Sequence, residues 1–79
     1  MWDQPIKIYT APHCKYSPVA KKLLDKHEVP YEEHNVVQNA FAYQEMVEKT
    51  HQSGVPVIEI GNHVFAGFDR KGIERVLGV

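Results

Sequence analysis

One cysteine in 79 residues leaves this chain short of the means small domains use to hold themselves together. A domain this size hides only about 60% of its unfolded surface, so many of them add disulfides or a structural metal. One cysteine excludes an internal disulfide, and no cysteine or histidine pair has zinc-finger spacing. The disulfide-stapled secreted class is thereby excluded. An excess of one charge is also missing: 9 basic residues stand against 10 acidic ones, a net charge of −1. Without a positive field, nucleic acid is not an expected partner. No apolar run approaches the roughly 20 residues of a transmembrane helix, so no membrane association is expected. The opening Met1-Trp2-Asp3-Gln4-Pro5 has neither the basic nor the apolar region of a signal peptide. The expectation is a soluble cytoplasmic protein, where a lone cysteine stays reduced. Repeats, low-complexity stretches and linkers are absent as well. One domain over residues 1–79 is expected, because a second core needs roughly 50 more residues.

What is present falls into short periodic segments. Ile6-Lys7-Ile8-Tyr9 alternates apolar with polar and predicts a strand, broken by Pro12. Val19, Ala20, Leu23, Leu24 and His27 recur at helical spacing, with Lys21, Lys22, Asp25 and Lys26 between them. This predicts an amphipathic helix over about residues 16–28, ended before Pro30. Tyr31 to Val36 predicts a second strand. Asn39 is placed to cap a second helix with an inner stripe of Tyr43, Met46, Val47 and Thr50. After Ser53-Gly54, the segment Pro56 to Ile60 is the most strand-like of the chain. Gly61-Asn62 signals a hairpin returning through His63-Val64-Phe65. Asp69 is placed to cap a last helix carrying Ile73, Val76 and Leu77. The order β-α-β-α-β-β-α opens with a right-handed parallel crossover, to which the hairpin adds an antiparallel edge. The expected fold is α/β, a four-stranded mixed sheet flanked by three helices, with Trp2 packed at an end of the sheet.

Cys14 lies in Pro12-His13-Cys14-Lys15-Tyr16-Ser17-Pro18, between the first strand and the first helix. The free N–H groups of a helix start favour an anion there, and Lys15, with His13 when protonated, adds positive charge. The thiolate is the nucleophilic form of cysteine, so this is a reactive setting. The competing reading is a small buried hydrophobe. A buried cysteine belongs on an apolar face, whereas this one sits in a loop among His, Lys and two prolines. Ser17-Pro18 reads as an N-cap followed by proline at the first helical position. His27, His34, His51 and His63 lie on separate elements with no ligand spacing, so no metal is expected. Glu32-Glu33 and Lys21-Lys22 read as solvated faces.

Four motifs together resemble the glutaredoxin branch of the thioredoxin fold. They are Ile8-Tyr9-Thr10, Pro12-x-Cys14-x-Tyr16, Gly54-Val55-Pro56-Val57-Ile58 and Ala66-Gly67-Phe68-Asp69. The resemblance runs from about Ile6 to Leu77 and is nearest to small glutaredoxin-like redoxins with a Gly-Phe-Asp turn. It implies a thioredoxin-like fold and a thiol–disulfide oxidoreductase with glutathione as co-substrate. Cys14 would be the nucleophile that forms the mixed disulfide. Lys15 and Tyr16 would border the glutathione groove. Val55, before a cis-Pro56, would offer its backbone N–H and C=O to the substrate. Gly67 would supply the turn, and Phe68 and Asp69 would present N–H groups near the γ-glutamyl end of glutathione. The implied partners are glutathione and glutathionylated or disulfide-containing proteins, met as a monomer.

The departures from the family are equally informative. Dithiol members carry a second, resolving cysteine where this chain has Ser17, and a hydroxyl forms no S–S bond. An outside thiol must then release the substrate, which is monothiol chemistry. Glutaredoxins often hold the glutathione carboxylates with a lysine three residues before the cysteine and a basic residue on the second helix. Here those places hold Ala11 and Tyr43 or its neighbours, with Lys15, Lys7 or Gln44 as substitutes. Redoxins without these anchors tend to be reduced by a flavoprotein of the thioredoxin-reductase type. A further alternative is a [2Fe–2S] cluster bridged between two chains by one cysteine and one glutathione each. That branch carries Gly-Phe between its Cys and Ser, and the bulkier Lys15-Tyr16 leaves less room.

Overall fold

Alternation along the first strand decides how the molecule is layered. In the computed structural model, which describes residues 5–78, β1 is Ile6–Thr10, one residue longer than its alternating core. It is followed by α1 Ser17–Lys26, β2 Glu32–Asn35, α2 Ala40–Thr50, β3 Val57–Ile60, β4 His63–Ala66 and α3 Arg70–Leu77. The expectation for Trp2 falls outside the described residues. The strands lie in the order β2-β1-β3-β4. β1 runs parallel to β2, with Thr10 opposite Asn35, and antiparallel to β3, with Tyr9 opposite Val57. β3 and β4 form the antiparallel hairpin, in which Ile60 opposes His63.

Because successive strand side chains point to opposite faces, even and odd positions enter different cores. Ile6, Ile8, Ile58 and Ile60 pack with Ala20, Leu23 and Leu24 of α1 and with Ile73 and Leu77 of α3. Tyr9 and Val57 point the other way and pack with Ala42 and Met46 of α2. Two helices therefore cover one face and one helix the other. Truncating a fully buried Leu24 to alanine costs about 2–5 kcal/mol, a large share of the roughly 5–15 kcal/mol that holds a domain folded.

Two local expectations are corrected. Ser17 is not the N-cap of α1: Tyr16 is, and its carbonyl accepts the Ala20 N–H at 3.0 Å. Closing the first turn on Tyr16 draws Ser17 into the helix and moves Pro18 to its second position, where a missing N–H costs nothing. On α2, Tyr43 stays exposed and Ala42 takes the inward place. The Tyr9 ring already fills the space between sheet and helix, so a small residue fits opposite it. The expected caps are otherwise present, with Asn39 accepting from Ala42 N–H at 3.1 Å and Asp69 from Gly72 N–H at 3.0 Å.

Candidate active site

Three loops converge at one end of the sheet because of strand register. Tyr9 opposes Val57, so the chain leaving β1 toward Cys14 runs beside the chain entering β3 from Val55-Pro56. The Gly67 N–H then bonds to the Pro56 carbonyl at 2.9 Å, drawing in the turn after β4. On the far side, the Val36 N–H bonds to the Thr10 carbonyl at 2.9 Å and fixes the end of β2.

Cys14 is a free, half-buried thiol in the turn that follows β1, and its N–H donates to the Ala11 carbonyl at 3.1 Å. Tyr16 stands half exposed beside it, with the Lys15 Nζ 5.5 Å from the ring centroid. That cation–π contact holds the Lys15 charge on the loop. The Val55–Pro56 peptide bond is cis. No turn or loop hydrogen bond among the described residues engages the N–H or C=O of Val55, so both remain available to an extended strand of substrate. Gly67 has φ +111°, a conformation that side chains rarely adopt. Phe68 packs against the α1/α3 core, and Asp69 caps α3. The residues implied for the site therefore share one end of the molecule.

Ser17 is 3% exposed, and its Oγ has no hydrogen-bond partner. It borders a cavity of about 130 Å³ shared with Cys14, Thr10, Lys21, Glu33 and Asn35. The sequence reading missed this polar cavity. Glu33 is exposed as expected, but its carboxylate accepts from Thr10 Oγ1 at 2.9 Å and from Lys21 Nζ at 3.1 Å. Burial alone would raise its pKa, yet these hydrogen bonds and the Lys21 charge outweigh burial and hold it below the ordinary range. The missing signal was register: Glu33 pairs with Ile8 in the parallel pair, so it lies diagonal to Thr10 on the same face and their side chains meet.

At the places read as holding no carboxylate anchor, Ala11 is buried, and Tyr43 leaves no charge at its place on α2. Lys7 lies 3.9 Å from Glu45, and Gln44 donates to Glu48 at 3.4 Å. Lys15 alone of the proposed substitutes has no such engagement with a carboxylate among the described residues. The other histidines are spread out. His27 faces Glu74 at 3.4 Å, His34 stacks on Tyr9, and His51 and His63 are exposed. No group of three or more His, Cys, Asp or Glu among the described residues is placed to hold a metal. None of the helices described is long and apolar enough to cross a membrane.

A β-α-β-α-β-β-α chain with a thiol after its first strand, opposite a cis-proline loop, has the thioredoxin-like fold. The sequence profile of the glutaredoxin family matches residues 6–65, and the chain belongs to that family. It is 32% identical over 72 residues to an uncharacterized glutaredoxin-like 8.6 kDa protein in the rubredoxin operon of Clostridium pasteurianum, covering 91% of this chain and 96% of that protein. The thioredoxin-like protein BC3987 superposes with a TM-score of 0.85 at 28% identity, over 90% of this chain and 97% of that one. The glutaredoxin-like protein NrdH-redoxin from Escherichia coli shares the fold, with a TM-score of 0.82 at 24% identity over 91% and 93% of the two chains.

Proposed function

We propose that this chain reduces mixed disulfides by a monothiol cycle in which Cys14 is the nucleophile and glutathione the co-substrate. The observation that carries the reading is the pairing of one half-buried thiol with a buried Ser17 hydroxyl, in a chain with no other cysteine. The Cys14 thiolate attacks the glutathione sulfur of a glutathionylated protein. One S–S bond forms as the other breaks, and the protein leaves as a thiolate that takes up a proton. A second glutathione, as thiolate, attacks the Cys14 adduct, releasing oxidised glutathione and restoring Cys14. One glutathione thiol is consumed per mixed disulfide: the protein sulfur is reduced to a thiol, and the two glutathionyl sulfurs leave joined as oxidised glutathione.

The Val55 backbone supports a strand-like grip on the glutathione cysteine, and Tyr16 supplies a wall. The first N–H groups of α3, beside Phe68 and Asp69, suit a carboxylate. A reducing compartment such as the cytoplasm supplies the glutathione this cycle needs, and the chain acts as a monomer. No metal takes part. The cluster-bridging alternative is tested by anaerobic reconstitution: a brown dimer supports it, and a colourless monomer rejects it.

A second reading is favoured by one observation, the missing carboxylate anchors at Ala11 and Tyr43. In it, the dithiol of a flavoprotein reductase releases the substrate from Cys14 and closes its own disulfide. Turnover of a glutathionylated peptide separates the two. Glutathione alone sustaining turnover, abolished in Cys14→Ala, supports the first. Turnover that needs NADPH and a thioredoxin-reductase-type enzyme supports the second.

A further inference from the structure

Three positive side chains border an apolar groove between α1 and α3. Lys22, Lys26 and Arg70 surround Val19, Leu23 and Phe68, enclosing about 200 Å³. Val19, Lys22, Leu23 and Lys26 fall at i, i+3, i+4 and i+7, so they form one stripe of α1. At 1.5 Å of rise per residue the stripe is about 10 Å long. Among the described residues, neither Lys22 nor Lys26 enters an ion pair. Arg70 shares Glu74, at 3.6 Å, with His27. Asp69, beside the groove, is committed to the Gly72 N–H. The rim therefore keeps an excess of positive charge.

We propose that this groove seats the segment flanking the reacting cysteine of a protein substrate, and that it selects segments combining acidic with apolar side chains. The inference rests on the redox reading above and adds the class of substrate to it. Phe68 belongs both to the turn implied for the site and to the groove, so the groove begins at that turn. An extended chain advances about 3.3 Å per residue, and about 10 Å of groove accepts three or four residues. Val19, 44% exposed, and Phe68 offer the apolar floor. Carboxylates of the same segment reach the free Lys22 and Lys26.

The test uses the full chain and cysteine peptides flanked by Asp-Leu-Asp or Lys-Leu-Lys, each carrying a thionitrobenzoate disulfide. Attack by Cys14 on the peptide sulfur forms the new S–S bond and expels thionitrobenzoate, which is read by its colour. At low salt the acidic peptide is expected to react about tenfold faster, the sum of two exposed charge pairs. The difference shrinks at about 0.5 M salt and disappears in Lys22→Gln/Lys26→Gln. Both proteins are expected to consume uncharged hydroxyethyl disulfide at the same rate. Equal rates for the two peptides, or a preference that survives the double substitution, overturns the groove. A wild type inert to hydroxyethyl disulfide overturns the redox reading instead. The groove is then judged by chemical-shift titration with the acidic peptide carrying serine for cysteine: shifts at Lys22 and Lys26 support it, and unmoved α1 resonances reject it.

Discussion

Gly67 donates its N–H to the carbonyl of Pro56 at 2.9 Å, and this bond couples the two loops that face Cys14. It forms only because Gly67 sits at φ +111°, with open space where a side chain would project. Strain at Gly67→Ala is therefore a backbone effect and not a clash. The substitution is expected to cost about 1–3 kcal/mol of stability, measured by denaturant unfolding. Turnover is expected to fall more than in an exposed-loop control such as Gly54→Ala, whose φ is unexceptional.

Ser17→Ala separates two roles for the serine. An N-cap serine replaced by alanine costs about 1 kcal/mol, but here Tyr16 is the cap and the Ser17 Oγ is buried without a partner. Removing an unsatisfied buried hydroxyl is expected to leave stability unchanged or raise it by about 1 kcal/mol. Monothiol turnover is expected to persist. A destabilised variant would restore the capping role read from Ser17-Pro18.

Tyr9 is expected to contribute to the loss of stability in alkali. Its hydroxyl, in a fully buried side chain, donates to Glu45 at 2.5 Å. Burial first, and then that hydrogen bond to a carboxylate, push the phenol up from 10.0 to about 12. The unfolded phenol ionises near pH 10 while the folded one resists. The Tyr9 contribution is thus whole below about pH 10 and is lost as pH rises toward 12, by roughly 2–3 kcal/mol. Unfolding curves between pH 9 and 12 are expected to show this limb in the wild type and a shallower one in Tyr9→Phe.

Asp69 caps α3 through the Gly72 N–H at 3.0 Å. Asp69→Ala is expected to cost about 1 kcal/mol, and Asp69→Asn, which keeps an accepting oxygen, less than half of that. If the start of α3 also receives a substrate carboxylate, Asp69→Ala raises the KM for glutathionylated peptide more than it lowers kcat.

Period and punctuation made most of the fold legible. Ile6-Lys7-Ile8-Tyr9, the Gly61-Asn62 hairpin and the caps at Asn39 and Asp69 are local signals, and each element stands within a few residues of its expected place. The errors arose where distant packing outweighed local pattern. Tyr43 has helical spacing with Met46 and Val47, yet the Tyr9 ring from another strand decides that Ala42 faces inward. Ser17-Pro18 has the composition of a cap, yet the Tyr16 carbonyl closes the turn. The loop bearing Cys14 was legible from chemistry, and its partners Val55, Pro56, Gly67 and Phe68 only through family motifs. The Thr10–Glu33–Lys21 cluster depends on parallel register, which no local pattern carries.

The central claim is that Cys14 alone carries the exchange and borrows its second thiol. Intact-protein mass spectrometry after oxidised glutathione, and again after excess reduced glutathione, tests it directly. The expected result is one glutathione per chain, located on Cys14, removed by reduced glutathione and absent from Cys14→Ala. An unmodified wild type, or an adduct that survives excess reduced glutathione, contradicts the account.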